Sequence, residues 1–213
     1  MPWADHRAVK PPRTPLPAGW RCGLLLAFAA ASLLGGPAAG RAGPPAWWRS
    51  LGEHDLLGAP LNPAGRWIVA VFIGQECPVS NASIPVLNRL AAEFGPKGFA
   101  FVGAYVDPTA DAASLMAHAA DYSIGFPVAD DRGHALVRFA GATYTPEVVV
   151  FSGEGARLYS GRIDDRVGDL GVSRPAAAHE DLREVLAAIA AGSKGPFGER
   201  RGYGCAIPEA VRP

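Results

Sequence analysis

Cys77 stands where a buried strand gives way to a helix. It follows the apolar run Trp67-Ile68-Val69-Ala70-Val71-Phe72-Ile73-Gly74 and sits in the segment Gln75-Glu76-Cys77-Pro78-Val79-Ser80-Asn81-Ala82-Ser83-Ile84-Pro85. A cysteine at such a junction meets unpaired backbone N–H groups and the positive end of the helix dipole, and both stabilise a thiolate. That makes a nucleophile at neutral pH. The same position also suits a small buried residue or one half of a stapling bridge. A second cysteine, Cys205, lies near the end of the chain in Gly202-Tyr203-Gly204-Cys205-Ala206-Ile207-Pro208, and a third, Cys22, precedes an apolar stretch near the start.

The N-terminus decides how many of these thiols count. Arg7, Lys10, Arg13 and Arg21 precede the apolar core Cys22–Leu34, and small residues from Gly35 to Gly43 follow. Basic region, short apolar core and small-residue exit describe a secretory signal. The core is shorter than the ~20 residues of a spanning helix, which favours cleavage between Ala38 and Gly43 over a permanent anchor. An uncleaved signal would be the chain's one tie to a membrane. Cleavage removes Cys22 and leaves Cys77 and Cys205, an even pair in a periplasmic or secreted setting where disulfides persist.

The remaining composition narrows the classes. The 213 residues include 20 basic and 20 acidic side chains, so no charge excess recommends nucleic acid. The expected organisation is a signal and flank over 1–42, one domain over 43–191, and a flexible tail over 192–213 carrying Cys205. Within the domain, adjacent Trp47 and Trp48 are expected to lie against the core. Strand 67–74 is apolar throughout, as a strand buried on both faces should be. Helix 78–94 places Ile84, Leu87, Leu90, Ala91 and Phe94 on one stripe. Strand 99–106 follows, then helix 110–121 with Leu115 and Met116 inward, a short strand at 126–129 and a short helix over 132–140. Strands 147–152 and 156–161 flank Gly153-Glu154-Gly155 and pair as a hairpin. Helix 179–191, with Leu182, Val185, Leu186 and Ile189 on one face, closes the domain. Alternating strands and helices followed by a hairpin imply a parallel core with an antiparallel edge.

In this order and spacing, residues 45–191 resemble the thioredoxin-like superfamily, specifically the redoxin branch of alkyl hydroperoxide reductase and thiol-specific antioxidant type. Cys77-Pro78-Val79-Ser80 stands where thioredoxins have Cys-x-x-Cys, Pro85 matches the proline inside the following helix, and Thr145-Pro146 looks like the cis-proline that faces the active cysteine. The strand and helix between 98 and 121 match the redoxin insertion. The resemblance implies an α/β thioredoxin-like fold with a central mixed sheet flanked by helices. It implies a thiol–disulfide oxidoreductase acting outside the cytoplasm, with Cys77 as nucleophile, Pro78 and Ser80 in its motif, and Thr145 and Pro146 orienting the partner chain. Its partners would be a disulfide-bearing or oxidised protein and a thiol electron donor. It implies no cofactor and no metal.

The departures bear on mechanism. Ser80 replaces the second motif cysteine, so the motif cannot close a disulfide on itself, although a hydroxyl there can hydrogen-bond a Cys77 thiolate. Glu76 precedes Cys77 where thioredoxins carry Trp, and its charge is expected to raise the thiol pKa. The peroxiredoxin pattern Pro-x-x-x-Thr-x-x-Cys is missing, with Gly74 three residues before Cys77. Cys205 then has three candidate roles: a resolving thiol, a partner-tethering thiol, or a permanent staple to Cys77 contributing about 4–5 kcal/mol for so long a loop. A thiol peroxidase is the alternative enzyme reading. A non-catalytic binding module or copper chaperone, using Cys77 with one of His54, His118, His134 or His179, is the alternative outside catalysis. Gly161-Arg162-Ile163-Asp164-Asp165-Arg166 resembles a segment of secreted redoxins and reads as a surface ion-pair cluster. Asn81-Ala82-Ser83 matches a glycosylation acceptor.

Overall fold

The computed structural model describes residues 46–61, 63, 66–169 and 172–210. The signal segment expected over 1–42, with Cys22, lies outside these residues, as does the side chain of Trp47. No helix among the described residues is long and apolar enough to cross a membrane.

The central strand β1 (Trp67–Ile73) is buried from Ile68 onward. Successive side chains of a strand point to opposite faces, and β1 divides its apolar residues accordingly. Val69, Val71 and Ile73 join one core with Leu87, Leu90 and Phe94 of α1 (Pro78–Phe94), Leu115 of α2 (Ala112–Asp121), and Leu182 and Leu186 of α4 (Asp181–Ala190). Ile68, Ala70 and Phe72 join the other core, with Trp48 and with Leu136 and Ala140 of α3 (Ala135–Ala140). A strand apolar at every position is therefore required by two covered faces. Met116, expected inward beside Leu115, is instead 38% exposed. Adjacent helical residues diverge by ~100°, and the inward direction belongs to Leu115 and Ala119.

Strand β2 (Phe99–Tyr105) pairs parallel with β1, and β3 (Val128–Asp130) pairs parallel with β2. On the other side β5 (Glu147–Phe151) runs antiparallel to β1, and β6 (Arg157–Gly161) antiparallel to β5, so the expected hairpin forms. Two-residue β4 (Tyr144–Thr145) precedes β5, and β7 (Val167–Asp169) pairs with β8 (Val172–Ser173) in a separate two-stranded sheet. The large sheet has six strands because of β9 (Glu199–Arg200), which adds parallel to β6. Its order is β3-β2-β1-β5-β6-β9.

The C-terminal segment departs most from expectation. Residues 192–213, read as a flexible tail, supply β9 and also β10 (Cys205–Ala206), which pairs antiparallel with β4. Glycine makes both contacts physically possible. A Cβ on Gly161, whose φ is +140°, would lie 1.9 Å from the carbonyl oxygen of Arg200. A Cβ on Gly204 would lie 2.0 Å from that of Thr145. Asp181, buried at the start of α4, anchors the segment through Arg200 at 2.7 Å and Arg162 at 2.5 Å. The order comes from backbone pairing and ion pairs, neither of which leaves an apolar period in the sequence.

Candidate active site

Cys77 is the N-cap of α1, with extended backbone (φ −85°, ψ 110°). Its sulfur accepts from the Ser80 backbone N–H at 3.5 Å, which places it against the orphan donors of the first turn. Pro78 occupies the first helical turn, where a missing N–H costs nothing, and is exposed. Pro85 lies inside α1 and leaves the Asn81 carbonyl without its intrahelical donor.

The Thr145–Pro146 peptide bond is cis. The Cys77 thiol is 3% exposed and donates to the Thr145 carbonyl at 3.1 Å, while Cys205 lies directly opposite Thr145 in the β4–β10 pair. Both cysteines are free thiols. They line one cleft of about 140 Å³ with Gly74, Glu76, Thr145 and Pro208. Of the six residues that the sequence nominates, Cys77, Cys205, Thr145 and the backbone of Ser80 meet at the sulfur. The Ser80 hydroxyl is buried without a hydrogen-bond partner among the described residues, so it does not hold the thiol in the way the motif suggests.

The electrostatics separate the two thiols. Burial pushes the Cys77 pKa up, but hydrogen bonds from the Cys205 thiol, Thr145 and the backbone N–H groups of Ser80 and Cys205 outweigh it, and the net direction is down. Burial, the hydrogen bond given to Cys77 and the Cys77 charge raise the Cys205 thiol to about 11. Cys77 is thus the thiol of the pair that ionises more readily, and Cys205 the one that keeps its proton. Glu76 is exposed and raises His118, not Cys77. A consequence is measurable. Cys205→Ala removes the strongest donor that favours the Cys77 thiolate, so the Cys77 pKa is expected to rise. The inflection of Cys77 alkylation by iodoacetamide against pH should move upward in the variant. An unmoved inflection would show that Cys205 does not set the charge.

A hydrogen-bonded chain that sequence reading missed holds the loop before Cys77. Tyr105 Oη lies 2.7 Å from His118 Nδ1, His118 Nε2 lies 3.0 Å from Asn81 Oδ1, and Asn81 Nδ2 donates to the Gln75 carbonyl at 3.0 Å. Because Asn81 Nδ2 faces a carbonyl, Oδ1 is the acceptor. That assigns the proton of neutral His118 to Nε2 and makes Tyr105 the donor to Nδ1. Burial lowers the His118 pKa against the opposing charges of Glu76 and Asp121, consistent with the neutral ring. Asn81, legible in the sequence as a glycosylation acceptor, is a loop clamp here. His134 Nε2 lies 2.6 Å from the Val106 carbonyl. Among the described residues, no three His, Cys, Asp or Glu side chains are grouped to hold a metal.

Glu147 was also missed, although a carboxylate opening an otherwise apolar strand is its signal. It is buried and accepts from Thr143 N–H at 2.9 Å and Ser160 Oγ at 3.0 Å, bracing the Thr145–Pro146 turn from behind. Only part of the 161–166 segment pairs within itself. Arg166 meets Asp164 at 2.8 Å, whereas Arg162 reaches Asp181 and Asp165 accepts from the N–H groups of Ala178 and His179.

Comparisons with known proteins agree with this architecture. Residues 59–156 match the AhpC/TSA family. A hypothetical protein from Sinorhizobium meliloti 1021 superposes with a TM-score of 0.59 at 22% identity, covering 72% of this chain and 87% of that one. An uncharacterized conserved protein from Geobacillus kaustophilus superposes with a TM-score of 0.58 at 24% identity, covering 72% and 85%. A secreted Mycobacterium tuberculosis disulfide oxidoreductase aligns with a TM-score of 0.46 at 25% identity, covering 64% and 93%. No curated protein matches the sequence. The stretch similar to the AhpC/TSA family, residues 59–156, runs from before β1 to just beyond β5 and holds Cys77 at the head of α1 and Thr145-Pro146 before β5, on a thioredoxin-like fold.

Proposed function

We propose that the chain is a thiol–disulfide oxidoreductase acting outside the cytoplasm, with Cys77 as nucleophile and Cys205 as resolving thiol. The observation that carries this reading is the Cys205–Thr145 pairing, which sets a second thiol, of raised pKa, beside the Cys77 thiol, whose pKa is lowered, although the motif itself has only Ser80. The Cys77 thiolate attacks a disulfide of an oxidised protein, forming a mixed disulfide and releasing one thiolate, which takes a proton from water. Cys205 then loses its proton and attacks the Cys77 sulfur, expelling the second substrate thiolate and leaving a Cys77–Cys205 disulfide. The substrate has gained two electrons and the enzyme has lost two. An external dithiol donor returns them. Cys205 provides the acid in the resting state and the nucleophile in the second step, so its high pKa keeps it from competing with Cys77 in the first.

The test is thiol trapping with mass spectrometry across a series of glutathione redox ratios, with Cys77→Ser and Cys205→Ser as controls. A Cys77–Cys205 bridge that opens and closes reversibly in folded protein is the expected result. A bridge that opens only on unfolding would make the pair a staple. A Cys77 sulfenic acid formed rapidly at low peroxide, and captured by Cys205, would move the function to a thiol peroxidase.

A further inference from the structure

The segment Tyr203-Gly204-Cys205-Ala206-Ile207 lies on β4 as a chain from another protein would. Cys205 pairs with Thr145 and Ala206 with Tyr144, antiparallel, and the Ile207 N–H continues the ladder to the Thr143 carbonyl at 3.1 Å. Extended peptides add to open strand edges in this way, main-chain bonds giving affinity and side-chain positions giving specificity. β4 and β10 form a sheet of their own, so β10 is what covers the β4 edge. Upstream, β9 and the Arg200–Asp181 ion pair hold the chain independently of that edge. The glycines at 202 and 204 allow residues 203–207 to lift while β9 stays.

The resemblance already implies that the strand ahead of Pro146 orients the partner chain; we propose that residues 203–207 are the built-in stand-in for that extended, disulfide-bonded substrate segment, and that the substrate must therefore carry glycine immediately before its reacting cysteine. The inference rests on the thiol–disulfide exchange proposed above and adds the substrate class. The register places the cysteine of any chain on this path opposite Thr145, beside the Cys77 sulfur. The preceding residue then lies where Gly204 lies. A Cβ there would meet the Thr145 carbonyl oxygen at 2.0 Å and its carbon at 2.7 Å, with Pro146 N at 3.3 Å. These are backbone atoms, and they cannot swing aside as a side chain would. The residue after the cysteine corresponds to Ala206, which is exposed, so that position tolerates a side chain.

One edge shared by two chains also couples the steps. When the substrate segment is seated, the Cys77 thiolate attacks its cysteine sulfur, the substrate S–S bond breaks, and the departing thiolate is protonated by water. The returning 203–207 segment brings Cys205 to the Cys77 sulfur by displacing the segment it replaces. Resolution and product release are therefore one event.

The test uses the full chain carrying Cys22→Ser and Cys205→Ser, so that Cys77 is the single thiol. Two peptides, Tyr-Gly-Cys-Ala-Ile and Tyr-Val-Cys-Ala-Ile, each carry thionitrobenzoate on the cysteine. Attack by Cys77 on the peptide sulfur releases the coloured thiolate. The glycine peptide is expected to react about tenfold faster than the valine peptide, the cost of forcing a side chain against packed backbone. Adding Gly204→Ala, which unseats the protein's own segment, should raise the glycine-peptide rate about tenfold relative to the rate with the small symmetrical aromatic disulfide. Peptide rates equal within about twofold would overturn the glycine requirement, and an unchanged ratio on Gly204→Ala would overturn the shared edge. The two-peptide comparison stands without the Gly204 variant, should that variant fold poorly. If Cys77 releases no thionitrobenzoate even from the small disulfide, the exchange reading itself falls, and this inference with it.

Discussion

Cys77→Ser is expected to abolish disulfide exchange, lowering the single-turnover rate with a small aromatic disulfide by at least about 10³. The argument separates chemistry from folding. Cys77 caps α1, and serine is among the best residues at that position, so the helix keeps its first turn and the protein its stability. What disappears is the ionised sulfur. A serine hydroxyl offered the same donors is not deprotonated at neutral pH, and His118, the imidazole tied to the loop before Cys77, is not free to act as its base, because its ring nitrogens are bonded to Tyr105 and Asn81. Cys205 cannot fully take over, because its half-buried thiol, with its pKa raised to about 11, ionises poorly at neutral pH. An unchanged melting temperature together with the lost rate would confirm the role. A rate retained within about tenfold would move the nucleophile to Cys205.

Asp181→Ala is expected to be the most costly change outside the apolar core, destabilising the protein by about 2–3 kcal/mol. The carboxylate is buried and holds two guanidiniums, Arg162 and Arg200, on separate oxygens. Both arginines retain some contact with water, with side-chain exposures of 28% and 47%, which keeps the effect below that of a fully enclosed pair. The loss should appear as a lower urea midpoint with an unchanged slope. Its second consequence is functional. Arg200 ties β9 to the fold just upstream of Cys205, so the fraction of Cys77–Cys205 disulfide at a fixed glutathione ratio should fall in the variant. Stability lost without any change in that fraction would show that the segment is positioned by β-pairing alone.

The fold also accounts for Gly74 in place of the peroxiredoxin threonine. A Cβ on Gly74 would lie 2.8 Å from the Thr145 hydroxyl and 3.1 Å from the Cys77 Cβ. Thr145 already fills the space that a side chain three residues before the cysteine would need. The absent threonine and the present Thr145 are one packing decision seen from two positions.

Much of this protein was determined by local sequence. β1, α1, β2, the β5–β6 hairpin and α4 lie within about two residues of where apolar periodicity places them, because each element buries a face whose period is set by its own geometry. The position of Cys77 at the head of α1 follows from the same pattern, since a strand that ends and a helix that begins define the junction between them. Tertiary structure alone decided the partner of that thiol. Cys205 reaches it through two-residue strands, a buried Asp181 ion pair and glycines thin enough for backbone to lie on backbone. None of these carries a period, because main-chain hydrogen bonds are indifferent to side-chain type and close approach is recorded only as a missing Cβ. The same holds for the Tyr105–His118–Asn81 chain and for Glu147, whose polar atoms find one another across elements distant in sequence. The placing of Cys77 was a local property of the chain, and the thiol set beside it, the clamp on the loop before it and the strand that covers it were properties of the packed whole.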